Sequence, residues 1–349
     1  MISRIAIHRE TFGDTPRDVF NSSHWQVWAK KYPSGVESLT VQSSRLRVEI
    51  LPYLGGMLWD AEADGVSLRM KNMFTQPHPV ATIQDTYGCF AFHSGLLANG
   101  CPSPEDKHPL HGEFPCAPMN RAQLVIHENG TLSVESQYEY VQGFGYHYTA
   151  VSSVTFTPDS GRFDIGLAVT NRSTYQRMPL QYMCHMNYAF VPGGTMHDNL
   201  DANAFKLRES VPAHVTPTPQ WEEINRKILA GEYKADSLEG AEAFDPEIVY
   251  FADHLTEKVK DAQFTLTRPD GTAFYTSFAT EEFPVATRWI LHNPDQSVAA
   301  FALPGTSRPE GYLAAQKAGT LIELAPGETR HFTVTTGLLN EEEAQRITL

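Results

Sequence analysis

Six stretches of this chain alternate β-branched or aromatic residues with polar ones: SLTVQSSRLRVEILP, AQLVIHENGTLSVESQYEYV, YTAVSSVTFTP, RFDIGLAVTN, AQFTLTRPDGTAFYTSF and RHFTVTTGLL. A period of two puts successive side chains on opposite faces, as in a strand with one face on a core. Asn129-Gly130, Asp270-Gly271 and Pro326-Gly327 add hairpin or turn chemistry at the boundaries. Helical periodicity is scarce. Its best instance is PQWEEINRKILAGEY, where Trp221, Ile224 and Ile228 share a face and Gly231 can end the helix. The pattern predicts an all-β fold, a large antiparallel sandwich with short helices in its connections.

With 349 residues, 41% hydrophobic and 19% charged, the chain can bury a substantial core. We expect one sandwich domain over residues 36–349, because no linker or repeat interrupts the pattern. Residues 199–262 are richer in charge and weaker in alternation, and read as an insertion over one end. Residues 1–35 read as an N-terminal extension whose Trp25 and Trp28 pack on the body or on a second subunit, which leaves a homodimer open. The net charge of −14, with no basic stripe, argues against nucleic acid as a partner. No apolar run of about 18 residues suggests a membrane span, and MISRIAIHRETFGD lacks the apolar stretch of a signal peptide. Cys89, Cys101, Cys116 and Cys184 form no CxxC pair and fit free thiols in a reducing cytoplasm.

Chemistry concentrates in FHSGLLANGCPSPEDKHPLHGEFPCAP, Phe92–Pro118, and in CHMNYAF, Cys184–Phe190. Each sets a histidine, His111 or His185, beside strand-like sequence and turn residues, where an imidazole can exchange a proton near neutral pH. Gly112 lets backbone approach a ligand closely next to His111. His93 is expected to face the same cleft. Arg69 and Lys71 could donate to the hydroxyls of a ligand or to an acidic group on it, and Asn187 to a hydroxyl. Trp59, Tyr188, Phe190 and Trp289 could stack on the ring of a ligand. His108 and His111, near Cys101 and Glu113, approximate a zinc spacing, but Pro109 breaks any helix between them and no second pair follows. We expect no metal. A nucleophile elbow and a glycine-rich phosphate loop are both missing from the sequence.

In these motifs the chain resembles the aldose 1-epimerase (galactose mutarotase) superfamily, and within it the uncharacterised aldose-epimerase-like branch with LHG and HxN motifs. The residues are Gly55-Gly56, Gly95-Leu96-Leu97 with Asn99-Gly100-Cys101, Leu110-His111-Gly112, Val169-Thr170-Asn171, His185-Met186-Asn187 and the tail Leu324–Glu328. The resemblance implies a galactose-mutarotase-like β-supersandwich that binds a small-molecule carbohydrate in a cleft on one sheet and needs no cofactor. It implies interconversion of the anomers of a monosaccharide or modified sugar, with His185 as general acid and His111 polarising the substrate. The base in such proteins is a glutamate in a Glu-Pro step, where this chain has Leu303-Pro304. Glu310 and Glu113 are the substitutes to examine. Without a base, the scaffold would serve as a sugar-binding protein; with a rearranged one, it would serve another sugar isomerisation.

Overall fold

The structure, a computed structural model, describes residues 2–347. Among these residues, two antiparallel sheets face one another. The first has nine strands in the order Ser3–Ile7, Arg121–Ile126, Leu132–Val141, His147–Phe156, Arg162–Asn171, Thr329–Leu339, Ala273–Ala279, Asp261–Thr267 and Thr195–Asp198. The second starts with Lys206–Leu207, Ile248–Ala252, Val285–His292, Ser297–Gly305, Met178–Met186 and Ala91–Leu96. It continues through Met57–Ala63, Leu46–Leu51, Glu37–Gln42 and Gln26–Lys31 to Arg17–Asn21. Short strands Val66–Ser67 and Ile322–Leu324 pair with Met57–Ala63 and Met178–Met186. The sandwich expected from the alternation is therefore the fold, and its helices are short.

His147–Phe156 and Arg162–Asn171 alternate half-buried and buried residues along their whole length. That is a strand pair with one face on the core and one towards water. The centre of the second sheet differs. All of Ala91–Leu96 is buried, and of Met178–Met186 every residue except Pro179. One face of these strands lies against the first sheet, where Tyr182 meets Phe283 and Phe332. The other is covered by connecting segments, and the cover leaves a pocket.

The helix Pro219–Leu229 forms where its periodicity predicts, with Thr218 accepting from Trp221 N at 3.1 Å and Trp221 and Ile224 buried. The 199–262 segment also supplies Lys206–Leu207 and Ile248–Ala252, which extend one edge of the second sheet. Residues 3–31 pair at edges of both sheets, and Trp25 packs on Phe156 and donates from Nε1 to Gly130 O at 2.7 Å.

The covering segment is held down by close backbone approaches. Gly112 has φ +80°, and a Cβ there would stand 2.2 Å from Ala98 O and 2.4 Å from Gly95 O. Gly65, in the similar conformation φ +78°, has nothing within 4 Å. Gly65→Ala should therefore cost only the left-handed strain, about 1–2 kcal/mol. Gly112→Ala adds the clash with backbone and should cost about 3 kcal/mol or more. Urea denaturation of the two variants measures the gap, and equal losses would mean that the Gly112 contact is not tight.

Candidate active site

Strand alternation on the second sheet builds the floor of the pocket. Val249, Thr287, Trp289, Leu291, Leu303, Met183 and His185 come from adjacent strands and project to its outer side. Gln84, Tyr87, Cys101, Leu110, His111, Arg208, His214, Glu247, Gln296 and Pro309 complete a cavity of about 310 Å³. The size suits one small molecule.

Aromatic rings and imidazoles form one side. His185 stacks on Phe92 at 4.5 Å between centroids, and His111 stands edge-on to His185 at 4.9 Å. Tyr87 touches Phe92, His111, His185 and Trp289, and its hydroxyl lies 3.2 Å from His185 Nε2. Burial lowers His185 to about 3, outweighing the support that Asn187 gives its charged form. Burial, and then the neighbouring His185, pulls His111 well below the usual histidine value. Burial likewise lifts Tyr87, which stays a phenol. The two imidazoles are thus uncharged at neutral pH. Trp289 Nε1, a donor, is buried without a partner.

The opposite side is charged. Glu247 immediately precedes Ile248–Ala252; Arg208 Nη2 donates to its Oε1 at 2.9 Å, and His214 Nε2 lies 3.3 Å from the same oxygen. Burial works to raise Glu247, but His214 and Arg208 together hold it below the usual carboxylate value. His214 is lifted to about 10 by Cys101, whose Sγ is 4.0 Å from Nδ1, and by Glu247. The cluster therefore carries an ionised carboxylate beside two cations.

The residues expected at the cleft divide. His111, His185, Trp289 and Leu303 line the pocket. His93 does not, because it is one residue out of phase with Phe92. Its ring turns to the intersheet core, where Nδ1 meets Tyr182 Oη at 2.8 Å and burial lowers it to about 4. Glu113 is also elsewhere. Its carboxylate accepts from Leu96 N and Leu97 N at 3.1 Å and from Tyr148 Oη at 2.8 Å. Burial lifts it against those bonds. Glu310 lies beyond the pocket lining and accepts from Ser210 Oγ at 2.7 Å.

Arg69 pairs with Asp60 at 3.3 Å and lies over Trp59. Lys71 borders a separate surface cleft with His292 and Asn293. Asn187 is fully buried and donates to Cys89 O at 3.0 Å. Tyr188 belongs to the core, bonded to Thr336 Oγ1 at 2.6 Å, and Phe190 packs on His292. Tyr87, Arg208, His214 and Glu247 also line the pocket, and no motif marks them in the sequence. The only local signal for Glu247 was a lone carboxylate at the head of the apolar run IVYFA. Among the described residues no group of three His, Cys, Asp or Glu side chains is arranged to hold a metal.

Residues 33–338 match the family described as a domain of unknown function, DUF4432, and the chain belongs to that family. No curated protein matches its sequence. Among solved structures it is similar to a Klebsiella pneumoniae protein provisionally named an aldose 1-epimerase, with a TM-score of 0.82 and 14% identity over 99% of this chain and 94% of that one. It is also similar to a galactose 1-epimerase from Lactobacillus acidophilus, with a TM-score of 0.56 and 10% identity over 93% and 98%. A galactose mutarotase-like protein from Clostridium acetobutylicum gives 0.57 and 11% over 91% and 100%. At these identities the shared property is the fold, a galactose-mutarotase-like β-supersandwich.

The buried histidines make a pH prediction. His185, His93 and His111 all titrate lower when folded than the unfolded value of 6.5. Below pH 6.5 the unfolded chain binds protons that the folded chain refuses, so their stabilising contribution is complete above that pH. It is lost as pH falls towards about 4 for His93 and about 3 for His185. Each such group contributes a slope of up to about 1.4 kcal/mol per pH unit. Denaturant melts between pH 7 and pH 5 should show a progressive loss, and a flat stability curve there would contradict the burial of uncharged imidazoles.

Proposed function

We propose that this chain is a carbohydrate epimerase of the aldose 1-epimerase type, interconverting the anomers of a monosaccharide or modified sugar without a cofactor. The observation that carries the reading is the composition of one small cavity: uncharged imidazoles on one side and the ionised Glu247 cluster on the other. Anomer exchange needs this kind of arrangement. A proton leaves the anomeric hydroxyl, another reaches the ring oxygen, the C1–O5 bond opens, and closure after rotation gives the other anomer. Groups of different proton affinity on two sides of a bound ring can serve both ends. Trp289 offers a flat face for the sugar, and its unpartnered N–H suits a hydroxyl oxygen.

The missing Glu-Pro glutamate does not leave the pocket without ionisable groups. Leu303 is in the pocket floor, where it can exchange no proton, but a carboxylate enters the same cavity from the segment before Ile248–Ala252. The position of Leu303 also favours a second reading, a sugar-binding protein on the same scaffold. All four cysteines are unpaired, which fits the reducing cytoplasm as the place of action.

NMR measurement of anomer exchange across aldoses, deoxy sugars and acidic sugars tests the reading. We expect acceleration for at least one sugar, reduced on the order of 10²–10⁴-fold in His185→Ala and in Glu247→Gln with the fold intact. Saturable binding with no acceleration would shift the assignment to the binding protein. Solvent deuterium entering C2 would instead indicate a different isomerisation.

A further inference from the structure

His111 has two ring nitrogens in different surroundings. Nδ1 lies 2.9 Å from Ser94 Oγ, and Ser94 Oγ in turn donates to Asn99 Oδ1. Ser94 and Asn99 are fully buried, so no bulk solvent competes for these bonds. A hydroxyl has one proton. With the Asn99 amide turned oxygen-first towards Ser94, the hydroxyl donates to Asn99 and can only accept from His111, which puts the imidazole proton on Nδ1. Nε2 then carries a lone pair, and His111 lines the pocket.

The backbone fixes the ring's position as well. His111 is held at φ +62°, unusual for a residue with a side chain. Its N–H donates to Gly100 O and its carbonyl accepts from Gly95 N, both at 2.9 Å. A conformation that costs about 1–3 kcal/mol persists only where the surroundings over-determine it, and such positions cluster at functional sites. His185 is placed differently, since its Nε2 already faces the Tyr87 hydroxyl.

We infer that Ser94 and Asn99 are positioning residues that lock His111 in the Nδ1–H tautomer, making His111 the proton acceptor of the pocket. The inference rests on the epimerase reading above and reverses the direction of proton flow that the family resemblance implies for the histidines. The anomeric hydroxyl gives its proton to His111 Nε2. The C1–O5 bond breaks as the C1–O1 bond becomes a carbonyl, and O5 takes a proton from the His214 imidazolium, which Glu247 holds in its charged form. Ring closure on the other face of the carbonyl returns both protons. In the resting pocket burial keeps His111 unprotonated and the ion pair keeps His214 protonated, the states from which the two roles start.

The test joins a resting-state readout to a kinetic one. Nitrogen-15 NMR of the full-length protein should show His111 Nδ1 as a protonated, pyrrole-type nitrogen and Nε2 as a pyridine-type one. Ser94→Ala should mix the tautomers and lower kcat for anomer exchange about tenfold or more, with KM changing much less. Asn99→Asp, which can only accept from Ser94, should keep the tautomer and restore kcat relative to Asn99→Ala.

An Asn99 amide turned the other way would donate to Ser94 and reverse every proton in the chain. A protonated Nε2 in the unmutated protein would therefore overturn the inference, as would a Ser94→Ala variant that keeps both tautomer and kcat. The nitrogen signals need no turnover. A correct tautomer without anomer exchange on any sugar would therefore sink the epimerase reading and the acceptor role with it, while leaving the positioning role established.

Discussion

Everything at the pocket depends on covering the outer face of the second sheet at its centre. Ala91–Leu96 and Met178–Met186 are buried on both sides, so the segment over them must satisfy its own backbone groups away from water. Glu113 does much of this. Its carboxylate takes two backbone N–H groups at the end of the Ala91–Leu96 strand and ties them to Tyr148 in the first sheet. Burial disfavours the charge, and three donors offset only part of that penalty. The glutamate that looked available for proton transfer is instead a clasp, and the position of His111, two residues before it, follows from where the clasp closes.

Once the cover is in place, a single cavity separates two electrostatic regimes. On one side, apolar rings exclude water, and the imidazoles of His111 and His185 stay neutral because burial outweighs the support that Glu247 and Asn187 give their charged forms. On the other, Arg208 and His214 repay that cost for Glu247. Burial alone would push a carboxylate and an imidazole both towards their neutral forms. The ion pairs break that symmetry, so groups of opposite protonation state face each other across about 310 Å³. The fold supplies the sheet, but the chemistry belongs to these side chains.

The sandwich was legible in the sequence because a half-buried strand writes its period directly, as in YTAVSSVTFTP and RFDIGLAVTN. His111 and His185 were legible through the short motifs around them. His93 shows where such reading stops: a fully buried strand does not alternate, so nothing in FHSGLL says whether Phe92 or His93 faces outward, and one residue decides it. Glu247, Arg208 and His214 were illegible for another reason. They come from the irregular 199–262 segment, and they meet through pairing of Ile248–Ala252 with Val285–His292, which no local pattern encodes. Glu113 was misread because its partners are backbone amides presented by a turn, and a turn of that kind leaves no mark on carboxylate spacing.

The most direct measurement is a crystal structure of the protein with a bound monosaccharide. One sugar ring should lie against Trp289, with its anomeric and ring oxygens between His111 Nε2 and the Glu247–His214 pair. A sugar seated instead in the cleft beside Lys71 and His292, with the histidine pocket left empty at saturating concentration, would contradict it.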